Sequence, residues 1–261
     1  MGTEPGAMIS VEVRGQVAVV QMGHGKANAL DTALCQSLTA EFSGLAGRGC
    51  RAAVLTGRGS IFSAGADLLR LRDGGPGYLD EFLPALSEAF LAVFDCPVPV
   101  VAAVNGHAIA GGCVLACACD YRVMNEDHGR IGVTELLVGV PFPVTALEIM
   151  RFAAGTRRLS ELAFFGRTYR AAEAVGLGLV DEAVAETQVL TRTAEVAAEL
   201  AALPPEPLRH TRSQIRGPVL ERIARQRATD SEVRRMWASP SARQAVEAYV
   251  TKTLRARPPA T

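Results

Sequence analysis

Ala103-Val104-Asn105-Gly106-His107-Ala108-Ile109-Ala110-Gly111-Gly112-Cys113-Val114-Leu115-Ala116 is the stretch whose reading decides the fold. It closes an apolar run that starts at Pro97, breaks at Asn105-Gly106, and passes two glycines into a run of small residues. Apolar run, turn dipeptide and small-residue segment predict a buried strand, a tight turn and a helix start. A junction of this kind aims free backbone N–H groups, backed by the positive end of a helix, at whatever lies in front of it.

Strand-to-helix alternation continues on both sides. Upstream, residues 9–14 alternate, Gly15 turns, and residues 17–22 are apolar, which predicts a hairpin. After the loop 23–30, Asp31 is placed to cap a helix over about 32–46, with Leu34, Leu38, Phe42 and Leu45 at helical spacing. A short strand is expected at 52–56, and a turn at 57–60 leads into Ile61-Phe62-Ser63-Ala64-Gly65-Ala66-Asp67-Leu68. Gly74-Gly75-Pro76-Gly77 reads as a mobile loop, and 78–94 as a helix with Leu79, Phe82, Leu83, Leu86, Phe90 and Val93 on one face.

Downstream, strands are expected at 98–104 and 121–124, then helices at about 144–154 and 158–164. The alternation predicts an α/β fold with a largely parallel sheet. Past Asp181 only helices are expected, at 187–203, at 206–227 with a break near Gly217-Pro218, and at 241–253. The chain therefore divides into a tail at 1–7, a core over 8–195 and a helical region over 196–261.

At 261 residues, 49% hydrophobic, and with 27 basic against 27 acidic residues, the chain has an ample core and no charge bias towards nucleic acid or anionic membrane. No apolar run approaches the roughly 20 residues that span a bilayer, and the start does not read as a signal peptide, so a cytoplasmic protein is expected. The cysteines at 35, 50, 96, 113, 117 and 119 have neither metal-ligand spacing nor the density of a disulfide scaffold; reduced core thiols are expected. Histidines 24, 107, 128 and 210 are scattered, and no metal site is expected. The chain lacks a Gly-x-Gly-x-x-Gly after its first strand, a P-loop, and a hydrolase nucleophile elbow, since Ile61 stands where the elbow needs glycine.

Two loops share the format of strand, small residues, helix: Phe62 to Leu68, and Ile109-Ala110-Gly111-Gly112-Cys113. Two N–H groups converging on one oxygen form an oxyanion hole, worth about 3–4 kcal/mol per donor in acyl-transfer sites. Spacing alone also allows a phosphate cradle or plain tight packing.

Together these segments resemble the crotonase superfamily, the enoyl-CoA hydratases and isomerases. The resemblance is carried by Phe62 to Leu68, Pro97 to Gly106, Ala110-Gly111-Gly112-Cys113 and Cys119-Asp120-Tyr121-Arg122. Lys26-Ala27-Asn28-Ala29-Leu30 and the run Phe165 to Val180 fit as well. It implies a spiral of ββα turns, with C-terminal helices that build homotrimers, often paired into hexamers. It implies an acyl-CoA thioester whose carbonyl sits between the N–H groups of Ala66 and Gly111. No separate cofactor is implied, CoA being part of the substrate. Lys26, Ala27 and Ala29 would lie along the CoA, and the backbone at Ala64, Gly65, Asp67 and Leu68 beside its adenine and pantetheine end. Asp67 is equally suited to capping the helix that follows it.

The carboxylates discriminate the reaction. Hydratases of this superfamily hold a water between two glutamates, one of them three residues beyond the oxyanion glycine. That position is Val114 here, while Glu135 occupies the place of the second. An apolar residue there with a glutamate at 135 resembles the 3-enoyl-CoA to 2-enoyl-CoA isomerases, in which one carboxylate moves a proton from carbon 2 to carbon 4. A hydratase, another crotonase-type acyl-CoA reaction and a catalytically silent acyl-CoA-binding protein are the alternatives. Read without the resemblance, Glu135 is a first-turn glutamate complementing a helix dipole.

Overall fold

The computed structural model describes residues 7–255, so the expected tail at 1–7 lies, apart from Ala7, outside the described residues. The hairpin forms as β1 (Ile9–Arg14) and β2 (Val17–Met22), antiparallel in register Ile9 to Met22, around Gly15 at φ 62°. Helix α1 (Thr32–Gly44) starts where Asp31 accepts the Leu34 N–H at 2.8 Å and buries Leu34, Cys35, Leu38 and Phe42.

Three ββα turns follow, and each splits its two strands between two sheets. The first is β3 (Ala52–Gly57), β4 (Ile61–Ser63) and α2 (Leu68–Phe94). The second is β5 (Val100–Val104), β6 (His107–Ile109) and α3 (Gly111–Cys117), and the third β7 (Tyr121–Asn125), β8 (Ile131–Gly132) and α4 (Glu135–Val138). The long strands extend a sheet of order β1-β2-β3-β5-β7, parallel from β2 onward. The short ones build a separate parallel sheet of order β4-β6-β8. This is the crotonase-type spiral that the sequence suggests.

Helices α5 (Val144–Phe165) and α6 (Ala171–Gly176) come next, then β9 (Glu182–Val184), α7 (Val189–Ala202), α8 (Pro205–Gln226), α9 (Asp230–Trp237) and α10 (Pro240–Arg255). The expectation of helices alone past Asp181 is corrected by β9, which adds to the edge of the large sheet beside β7. Three residues are too few to show an alternating pattern. Strand β5 begins at Val100 rather than 98; Pro97 and Pro99 have no N–H to give to a ladder. The segment Gly74 to Gly77 is a break inside α2 rather than a loop: Gly75, at φ 64° and ψ −166°, interrupts it, and Pro76 opens the second part. Gly155, at φ 76°, breaks α5 where two helices are expected. Helix α8 runs through Gly217-Pro218 without the expected interruption.

Helix α7 covers β2, β3, β5 and β7 on one face of the large sheet. Helices α1, α2, α3 and α5 bury the main core on the other. Helix α8 is fastened to the core through Asp120, which receives both Arg212 (2.9 and 3.0 Å) and Arg216 (2.9 Å), while the Arg216 guanidinium lies 4.4 Å from the centre of the Phe94 ring. All six cysteines are buried and free. No helix among the described residues is long and apolar enough to cross a membrane.

Candidate active site

The small sheet assembles the site. Its three strands are parallel, so the segments that leave their carboxyl ends stand side by side, which is where open parallel sheets bind ligands. Strand β4 delivers Ala64 to Asp67, β6 delivers Ala110 and Gly111, and β8 delivers Thr134 and Glu135. The shared format of the two small-residue loops thus places them as neighbours.

Their contact explains the glycines. Gly65 has φ 81°, and a Cβ on it would lie 2.7 Å from the Ile109 carbonyl oxygen and 3.0 Å from the Gly111 nitrogen. A Cβ on Gly112 would lie 2.3 Å from the Ser63 carbonyl oxygen. Only hydrogen fits at either position. Ala110, in contrast, is held at φ 52° and ψ −123°, a conformation that costs a residue with a Cβ about 1–3 kcal/mol. Its ψ sets the direction of the next N–H, that of Gly111, which opens α3 and has no partner within the helix.

The Ala66 N–H is turned by a different device. Leu30 pairs with this loop as an isolated parallel bridge, giving its N–H to the Gly65 carbonyl (2.8 Å) and accepting from the Asp67 N–H (2.9 Å). A residue in the middle of such a bridge points its own N–H and carbonyl to the other side. Ala66 and Gly111 both line one pocket, with Ala64, Leu68, Thr134 and Glu135. Two loops therefore bring the backbone of Ala66 and of Gly111 to the same pocket.

Among the described residues, Glu135 is the only acid lining that pocket. It is 9% exposed, and its Oε2 is buried with no hydrogen-bond partner among the described residues. Burial pushes its carboxyl up from an ordinary 4.5 to about 7, against the opposing pull of the backbone N–H groups of Glu135 and Thr134. Most of the remaining wall is apolar, and includes Leu86, Phe90, Val138, Val140 and Ala146. Val114 is fully buried in the core next to this site and is not part of the pocket wall. Of the other acids, Glu148 is buried but pairs with Arg151 (3.0 Å) and Arg222 (2.8 Å). Glu126 and Asp127 are exposed, and Asp127 accepts the Glu186 N–H at 2.8 Å.

Lys26, Ala27 and Ala29 lie outside the pocket wall, on the loop running beside it. Lys26 is exposed, and the Ala27 carbonyl accepts the Ala64 N–H at 3.0 Å. Gly65 is buried and is not part of the pocket wall. Asp67 caps α2, accepting from the N–H groups of Leu69 (3.0 Å) and Arg70 (3.1 Å). Among the described residues no three His, Cys, Asp or Glu side chains are grouped as metal ligands would be.

Asn28, which sequence reasoning passed over, fastens the Lys26 loop to β4. At φ 47° and almost fully buried, it donates from Nδ2 to the Ile61 carbonyl (2.8 Å), accepts the His24 N–H on Oδ1 (3.0 Å), and its carbonyl receives Ser63 Oγ (2.8 Å). Asparagine's tolerance of left-handed backbone was the available signal. Trp237 and Tyr249, from α9 and α10, also line the pocket and were not foreseen.

The family model for enoyl-CoA hydratase/isomerase matches residues 12–255. The chain is 40% identical over 210 residues to a Thermus thermophilus protein named "Putative enoyl-CoA hydratase", covering 78% of this chain and 82% of that one. It is 30% identical over 226 residues to mitochondrial enoyl-CoA delta isomerase 1 of Mus musculus, covering 85% of this chain and 78% of the relative. Among solved structures, human mitochondrial delta3-delta2-enoyl-CoA isomerase superposes with a TM-score of 0.92 at 25% identity, over 97% of this chain and 100% of the other.

Proposed function

The chain belongs to the enoyl-CoA hydratase/isomerase family, and from that premise we propose that it isomerises 3-enoyl-CoA to 2-enoyl-CoA. The observation that carries this reading is the single carboxylate in the pocket. Hydration by the two-glutamate route needs a second acid to hold and split a water, and Val114 stands at that position with no polar atom to offer. An allylic shift needs one group that takes a proton and returns it.

In the proposed mechanism the thioester oxygen accepts the N–H groups of Ala66 and Gly111. That contact strengthens as negative charge moves onto the oxygen. Ionised Glu135 removes a proton from carbon 2, leaving a dienolate. The carboxylic acid so formed returns the proton to carbon 4 on the same face, and the double bond moves to carbons 2 and 3. A carboxyl with a pKa near 7 is suited to both halves, because neither form is far from the working pH.

Lys26, Ala27 and Ala29, with Ala64, Gly65, Asp67 and Leu68, are proposed to run along the CoA moiety, which arrives as part of the substrate. A homotrimer or hexamer in the cytoplasm belongs to the same proposal. Exposed Leu136, Leu137, Phe164 and Phe165 are apolar surface of the kind that assembly covers.

A hydratase is the second reading, favoured by the name of the 40% identical relative. A silent acyl-CoA-binding protein has no use for a buried carboxylate that costs stability. Glu135→Gln tests the proposal: turnover of 3-enoyl-CoA is expected to fall about 10²–10⁴-fold, with acyl-CoA affinity kept within a few-fold. Unchanged turnover in the variant contradicts it.

A further inference from the structure

The pocket that holds Glu135 is lined by Trp237, and Trp237 together with Val140 also lines a second, smaller cleft. The second cavity lies between the break in α2 and helix α10. Its wall includes Leu71, Leu79 and Val246, together with Arg72 and Arg243, whose stems are themselves apolar. Two cavities that share two wall residues abut, and the larger shared residue is the indole.

That indole is fixed from two directions. Its Nε1–H donates to the Pro141 carbonyl at 2.8 Å, and its ring rests against Phe82 with centroids 6.4 Å apart. At 7% exposed it is a packed partition rather than a surface flap. The apolar side of the first pocket, with Leu86, Phe90, Val138 and Ala146, carries no charge and suits a hydrocarbon chain.

We propose that Trp237 sets the upper limit on acyl-chain length, closing the first pocket against the second cavity. The inference rests on the acyl-CoA reading above and does not depend on which reaction follows. Chains that fit in front of the indole gain with each methylene buried, roughly fourfold in affinity per CH₂. Longer chains meet the indole and gain nothing further. With the indole removed, the second cavity becomes the continuation of the pocket.

Trp237 is the only tryptophan of the chain, so its emission reports on the partition directly. Saturating the wild-type protein with hexanoyl-CoA is expected to shift or quench that emission, while CoA alone leaves it unchanged. Equal response to both ligands, or to neither, overturns the placement. The length limit is read by calorimetry with saturated hexanoyl-CoA and dodecanoyl-CoA on wild type and Trp237→Leu. The variant is expected to raise the ratio of dodecanoyl to hexanoyl affinity at least tenfold, and Val246→Phe in the variant background to remove the gain.

If Trp237→Leu does not fold, Val140→Ala thins the other shared wall and is expected to raise the same ratio by a smaller factor. An unchanged ratio in whichever variant folds overturns the proposal. Because these ligands have no double bond, the result stands apart from the isomerase reading. A raised ratio with no turnover of 3-enoyl-CoA would fault only the proposed reaction.

Discussion

Glu135 costs the fold stability in a way that depends on pH, and the Glu135→Gln variant isolates that cost. Below about pH 4.5 the carboxyl carries its proton in both the folded and the unfolded chain, and no penalty arises. Between about 4.5 and 7 the unfolded chain releases the proton while the folded chain keeps it. The folded state then binds more protons, so stability falls as pH rises through this window. Above about 7 the loss is complete. A displacement from 4.5 to about 7 corresponds to at most about 3 kcal/mol.

Glutamine cannot ionise, so Glu135→Gln is expected to match wild type near pH 4 and to exceed it by up to about 3 kcal/mol near pH 8.5. For a chain of this size that is a Tm gain of roughly 6–12 °C at the higher pH. Urea denaturation or calorimetry of both proteins across this range measures it. A difference between the two proteins that does not change with pH would refute the reasoning, since it would mean that the Glu135 carboxylate finds compensation within the fold. The same titration predicts a rising limb in kcat/KM centred near pH 7, because the ionised form is the base.

Gly65→Ala puts a methyl 2.7 Å from the Ile109 carbonyl oxygen at φ 81°, and is expected to cost about 2 kcal/mol or more in stability and to lower kcat as the two loops part; thermal melts and initial rates read both. Ala110→Gly relieves the φ 52° strain and is expected to raise stability by about 1 kcal/mol while leaving the Gly111 N–H less firmly aimed; chemical denaturation with a parallel activity assay checks it. Asp120→Asn strips the carboxylate from two arginines, of which Arg216 is buried, and is expected to cost about 3–5 kcal/mol, seen as a lowered urea midpoint.

The fold was legible where local signals and periodicity agree. Asp31 caps α1 as its position before an apolar-periodic segment predicts, and the Gly111 junction reads as strand, turn and helix because the apolar run is bounded by turn residues on one side and glycines on the other. Strands β6, β8 and β9 were not legible: two or three residues show no period, and they exist because a neighbouring strand is already in place to pair with them. The break at Gly75 reads as a loop in sequence, because whether Gly-Gly-Pro-Gly ends a helix or kinks it depends on what packs on either side.

The pocket divides along the same line. Ala64, Ala66, Leu68, Gly111 and Glu135 line it and stand in motifs that can be picked out one by one. Trp237 and Tyr249 reach it from helices nearly 100 residues downstream of Glu135 or more, through packing with no local signature. Nor does sequence show that Oε2 of Glu135 lacks a partner. That is a property of the assembled walls, and it is the source of the raised pKa.

One carboxylate beside a pair of N–H groups is expected to shift a double bond instead of adding water across it. The most direct measurement sets initial rates on 3-hexenoyl-CoA against those on crotonyl-CoA, with the same protein, buffer and thioester concentration. The account predicts fast conversion of 3-hexenoyl-CoA to the conjugated 2-enoyl thioester and little or no hydration of crotonyl-CoA. Efficient hydration of crotonyl-CoA without isomerisation of 3-hexenoyl-CoA would contradict it.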